Sequence, residues 1–265
     1  MSERDFASRL IASRKGLADD LSLPRRKAEA EGGCGVIGIA CSAPIPGRHL
    51  LQALVQMRNR GNGKGGGAAL VGLDPAQFGV TPDILRDDYL LTIAYLDPSA
   101  RAEVERQFVE PIFVVDHVHP LQITNYDFPI KPPDAVAYFV RVRPEALEAF
   151  TIEKGLAGLP REAVEDELVY QNTYRLNKAF YASLGEKRAF VLSHGKDMLV
   201  LKMVGYGDDV IRAYQLEDVR AHVWIGHHSW LLQVDGVDAP PERVYRAIFP
   251  SGHKALLPEE AWVAH

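Results

Sequence analysis

Cys34-Gly35-Val36-Ile37-Gly38-Ile39-Ala40-Cys41 is a short apolar, β-branched run set between Gly32-Gly33 and the breakers Pro44, Pro46 and Gly47. That pattern reads as a buried strand. His49 to Met57 follows with Leu50, Leu51, Leu54 and Val55 at helical spacing, an amphipathic helix with its apolar stripe inward. Arg58-Asn59-Arg60-Gly61-Asn62-Gly63-Lys64-Gly65-Gly66-Gly67 reads as a glycine-rich loop, and Ala68 to Leu73 as a second strand. The opening unit is therefore strand, helix, glycine loop, strand.

On the N-terminal side, Met1 to Gly33 mixes arginines and lysines with Glu3, Asp5, Asp19, Asp20, Glu29 and Glu31. It lacks the continuous apolar core of a secretory signal, and it is too acidic for a mitochondrial transit peptide. Phe6, Leu10 and Ile11 suggest one face of a short helix, which Gly16 and Pro24 interrupt. Residues 1–33 read either as a solvated, disordered arm or as a leader that is removed. On the C-terminal side the pattern is α/β. Tyr89–Leu96, Ile112–Leu121 and Ala135–Val142 read as strands. Pro98 opens a helix that Arg101–Val109 continues, and Pro144–Phe150 and Glu162–Ser183 are helical. Strand, helix, strand, strand, helix is the order of a small ferredoxin-like unit, inserted at about 85–185. Lys187–His194 and Met198–Val204 suggest a hairpin about Gly195-Lys196-Asp197, and Arg220–Ile225 is a last strand.

Composition narrows the class. Hydrophobic residues make up 47% and charged residues 25% of 265, the proportions of a globular protein. A net charge of −5 gives no global basic field for nucleic acid or anionic lipid. No apolar run has the roughly 18–20 residues of a membrane span. Two cysteines, Cys34 and Cys41, are too few for a secreted disulfide framework, so a reducing, cytoplasmic compartment is expected.

Several chemistries can be weighed directly. Gly63-Lys64 is no P-loop: Arg58 stands where the first glycine belongs and Gly65 where Ser or Thr belongs. His117 and His119 lie two apart on a strand, so both imidazoles face one way, and His222, His227 and His228 form a second group. Either group could hold a metal, yet neither brings a carboxylate or thiol at a familiar spacing, and no metal or cofactor is expected. Ser229 lacks the flanking glycines of a nucleophile elbow, having His227 and Leu231 there.

Cys34 stands apart. Cys34-Gly35-Val36-Ile37-Gly38, then an amphipathic helix ending in Met57-Arg58-Asn59-Arg60-Gly61, resembles the start of a class II glutamine amidotransferase. The likeness is greatest to the amidotransferase domain of glutamate synthase large subunits and their stand-alone relatives, and it runs from about Gly32 to His228. It implies an α+β N-terminal-nucleophile hydrolase fold, an αββα four-layer sandwich (complete or incomplete in this chain) carrying the inserted unit. It implies residues 34–230 as the amidotransferase domain, behind a leader cut before Cys34. Cys34 would be the catalytic nucleophile, its freed α-amine the base, and glutamine the substrate. Ammonia would pass to a synthase-type subunit, with no nucleic-acid or membrane partner and with homo-oligomerisation left open. Arg60, Gly61, Gly226, His227 and Ser229 fall at substrate-binding positions.

The chain departs from the family at its end. Ser229 stands where the family's carboxylate-gripping arginine belongs, and no His-Asn-Gly oxyanion segment follows Cys34. Residues 231–265 read as a divergent, truncated or frame-shifted tail. Poor glutamine hydrolysis is the expectation from these two departures. A catalytically inactive regulatory or assembly module and a metal-dependent hydrolase using the histidines are the other readings.

Overall fold

The computed structural model describes residues 3–17, 35–61, 63, 65–124, 128, 130–181 and 186–229. Cys34, Lys64, the remainder of the 1–33 segment and the tail from Trp230 lie outside the described residues. The architecture is α+β, with two four-stranded sheets in which every paired neighbour is antiparallel.

The first sheet, in the order β1-β8-β2-β7, is built from both ends of the described chain. β1 (Gly35–Pro46) runs past the predicted stop. It lies at the sheet edge, where prolines cost no ladder bond, and its register slips between Ala40 and Ile45 ahead of Pro46. α2 (Arg48–Gln56) buries Leu50 and Leu54, and a 3-10 turn at Arg58–Arg60 follows. β2 (Gly65–Leu73) already includes Gly65, Gly66 and Gly67, which corrects the reading of these glycines as loop. At Gly66 and Gly67 neighbouring groups fill the space a side chain would need: a Cβ on Gly66 would come within 2.2 Å of the Tyr206 backbone. β7 (Met198–Met203), α7 (Gly207–Ala213) and β8 (Arg220–Ser229) complete this part.

The second sheet, in the order β4-β5-β3-β6, comes wholly from one block. After α3 (Pro82–Asp87), that block runs β3 (Tyr89–Tyr95), α4 (Arg101–Val104), β4 (Phe113–Pro120), β5 (Asp134–Val142), α5 (Pro144–Glu153), α6 (Arg161–Phe180) and β6 (Ala189–Ser193). β5 lies between β3 and β4, and β3 between β5 and β6, so each helical crossover spans an intervening antiparallel strand. α4 continues into a π-helical turn over Glu105–Val109. β6 and β7 are not a hairpin. Gly195-Lys196-Asp197 instead carries the chain from one sheet to the other, and Val200 N–H reaches only the Ser193 hydroxyl across it, at 3.2 Å.

Two cores result. One lies between the second sheet and its helices, with Tyr89, Leu91, Ile93, Phe113, Tyr138 and Val140 against Leu147, Phe150, Leu168 and Leu176. Leu10 joins it from α1 (Glu3–Ser13). The helix suggested by Phe6 and Leu10 is thus present, and it is packed rather than solvated. The other core places Leu50 and Leu54 of α2, together with Val210 and Ile211 of α7, over Leu70, Leu199, Leu201 and Trp224 of the first sheet. It continues to Leu90, Ala94, Phe139 and Leu192 on the second sheet.

Candidate functional site

Three segments remote in sequence meet at one end of the first sheet. β1 begins at Gly35, whose backbone pairs with His228 of β8, while Gly65 of β2 pairs with Ser229. The Arg58–Arg60 turn leans against both. A Cβ on Gly35 would lie 2.9 Å from Arg60 Cβ and 2.9 Å from Met57 Cε, and one on Gly61 only 2.4 Å from His228 Cβ. These two glycines allow the turn to close on the strands.

His228 locks the arrangement. It is fully buried, accepts a hydrogen bond at Nδ1 from Gly207 N–H (2.9 Å) and bonds the Leu54 carbonyl through Nε2 (2.9 Å). Since a carbonyl can only accept, Nε2 carries the proton and Nδ1 is the acceptor. One imidazole therefore ties the end of α2 to the start of α7. Arg58 adds a second tie. Its guanidinium forks onto Asp208 (2.8–3.1 Å), reaches Asp209 at 2.8 Å and lies 4.7 Å from the centre of the Tyr206 ring. Its hydrogen bond to Asp208 holds the guanidinium above its ordinary pKa. Asp208 is fully buried and is also paired with Arg212, one helical turn on. Sequence reasoning missed this cluster; the Asp208-Asp209…Arg212 spacing after Gly207 was the available signal.

The predicted substrate residues divide between two faces. Arg60 is exposed and makes no ion pair among the described residues, its stem packed on Gly35. Gly61 sits beside it. Gly226 faces α2, where a Cβ would come within 2.8 Å of Leu54 Cδ1, so it serves helix-to-sheet packing. His227 points to the opposite face. It is 9% exposed and occupies the space left by Gly67, where a Cβ would lie 2.4 Å from its Nε2. Burial, then the charge of Lys202 and the neighbouring His228, push its pKa down to about 3. The backbone of Ser229 lies in this end of the sheet. Cys34 immediately precedes Gly35 in the chain and lies outside the described residues.

The histidine groups do not assemble together. His117 packs on Phe139 and His119 on Phe78, their rings 6.5 Å apart, and burial, then the neighbouring His117, lower the His119 pKa. His222 Nδ1 lies 3.0 Å from the Cys41 carbonyl oxygen. Among the described residues, no group of three or more His, Cys, Asp or Glu side chains gathers as a metal site would require. No described helix is long and apolar enough to cross a membrane.

A scan against protein families gives no match. An uncharacterized protein of Archaeoglobus fulgidus is 25% identical over 208 residues, which cover 77% of this chain and 48% of that protein. The chain thus spans about half the length of this relative.

Proposed function

We propose that this chain is a glutamine-hydrolysing amidotransferase module of the N-terminal-nucleophile type, with Cys34 as its nucleophile. In this reading the first sheet is one layer of the αββα sandwich and the 89–193 block is the inserted ferredoxin-like unit. The carrying observation is the convergence of the start of β1, the Arg60-Gly61 turn and residues 226–229 at one end of the first sheet. Those are the segments the family resemblance marks for nucleophile and substrate.

The chemistry follows from Cys34 becoming the first residue. A free α-amine has a reference pKa of about 7.7–8.0, so near neutrality it can take the thiol proton. The thiolate adds to the side-chain amide carbonyl of glutamine, the tetrahedral adduct expels ammonia, and a thioester forms. Water then cleaves the thioester, giving glutamate and restoring the thiol. Arg58 is held by Asp208 and Asp209, so Arg60 is the arginine of the turn left to meet the substrate carboxylate. Ammonia would pass to a synthase-type partner.

A second reading, an inactive regulatory module, draws on Ser229 at the position where the resemblance places the family's arginine. One experiment separates the two. The chain is treated with a glutamine-like electrophile, mapped by peptide mass, and assayed for glutamate release. The proposal expects label on Cys34 of a chain that begins there, Cys41 spared, and weak but measurable turnover. Label shared equally with Cys41, or active protein beginning at Met1 or Ser2, would overturn it. Label on Cys34 without turnover favours the inactive module.

A further inference from the structure

The sequence offers Met1–Gly33 as a segment to be discarded, yet its first helix is built into the molecule. Leu10 of α1 is 1% exposed within the core of the 89–193 block, with Phe6 packed alongside. Arg14 grips Glu167 of α6 through two bonds (2.8 and 2.7 Å) and lies over the Tyr170 ring at 4.5 Å. Glu167 is nearly fully buried. Gln171, wholly buried, donates to the Ser13 carbonyl and hydroxyl, both at 3.2 Å, and to Glu167 at 3.0 Å. Arg9 donates to the carbonyls of Gly155 and Ala157 (2.8 and 2.7 Å), just beyond the end of α5.

Removing α1 would expose an apolar patch and strip the Glu167 carboxylate of its counter-charge. We propose that the α5–α6 face is a docking site for the protein's own cleaved leader, so that maturation leaves two chains held together rather than one trimmed chain. This rests on the reading that cleavage precedes Cys34. That cleavage hydrolyses the Gly33–Cys34 amide, consuming one water and leaving a carboxyl on Gly33 and a free amine on Cys34. The partner is an amphipathic helix with a leucine and a guanidinium one turn apart, supplied by residues 3–17.

The test compares denaturing with native mass spectrometry on the purified full chain. Denaturing spectra report whether the chain is cut before Cys34. In the cut protein, native spectra are expected to show residues 1–33 and 34–265 in one particle at equal stoichiometry. A folded 34–265 product without the peptide overturns the inference. An uncut chain counts against the maturation reading alone. The docking is then read after cleavage at a protease site built in place of Leu23–Lys27, with the same two outcomes. Arg14→Ala is expected to speed release of the peptide roughly tenfold or more, since it truncates one partner of a buried, hydrogen-bonded charge pair. Arg9→Ala, which removes exposed bonds to two carbonyls, is expected to speed it less. Release rates unchanged by Arg14→Ala would also overturn the inference.

Discussion

His227 and Asp88 are buried groups whose protons pull stability in opposite directions. His227 has its pKa pushed from 6.5 to about 3, so between those values only the unfolded chain carries the proton, and stability rises with pH. Asp88, just before β3, is 2% exposed, and its Oδ2 has no hydrogen-bond partner among the described residues. Burial, then the neighbouring Asp116, push it from 3.8 up to about 7, while the Arg141 charge works against the rise. Between 3.8 and about 7 only the folded state carries the Asp88 proton, so stability falls as pH rises. The two slopes overlap and oppose each other, each at most about 1.4 kcal/mol per pH unit. Relative to the unaltered chain, Asp88→Asn should therefore steepen the gain in unfolding free energy from about pH 4.5 to about pH 6.5, and His227→Gln should do the reverse. Urea titrations across that range read both, and two variants shifting in the same direction would refute the assignment.

The turn after α2 is held to α7 by side chains rather than by ladder bonds. Arg58→Ala removes the fork onto Asp208 and the contact with Tyr206, but Arg212 still pairs Asp208. The expected loss is about 1–3 kcal/mol, below the 3–5 typical when a buried charge is stranded. Urea unfolding measures it, and the loss should be matched by weaker labelling of Cys34 if the turn frames the site. Elements of this kind separate what sequence periodicity reveals from what it hides. The amphipathic α2 and the strands at 89–95, 113–120 and 134–142 were legible, because α2 repeats its apolar positions at the helical period and the strands are short runs rich in apolar β-branched and aromatic residues. Gly65–Gly67 were not, since glycines in a strand look like loop until the backbone and imidazole filling the space beside Gly66 and Gly67 are known. The false hairpin at 195–197 had sound turn chemistry, but pairing partners are chosen by tertiary contact. At the site, Arg60 and Gly61 were legible as a motif, whereas the clamp of His228 on Leu54 and Gly207 depends on residues far apart in the chain.

Over the whole molecule the two sheets differ in how far their strands reach along the chain. β2 and β7 pair as hairpin neighbours would, Val71 opposite Met198, with the entire second sheet between them. Leu90 N–H bonds the Gly195 carbonyl at 2.8 Å, so the block leaves the first sheet and returns to it at nearly the same point. Among the described residues β1 pairs with β8 alone, Gly35 opposite His228. A strand whose partner among the described residues lies at 220–229 lacks that partner until those residues have been made. The block from β3 to β6 can fold as it emerges, but the strand that begins beside Cys34 waits for residues 220–229. On the proposed reading, synthesis itself would time the cleavage before Cys34. If the proposed cleavage before Cys34 takes place, ribosome-bound chains stalled upstream of Arg220 should keep their leaders uncut, and chains released past Ser229 should have them cut; cutting on the shorter nascent chains would show that no such timing exists.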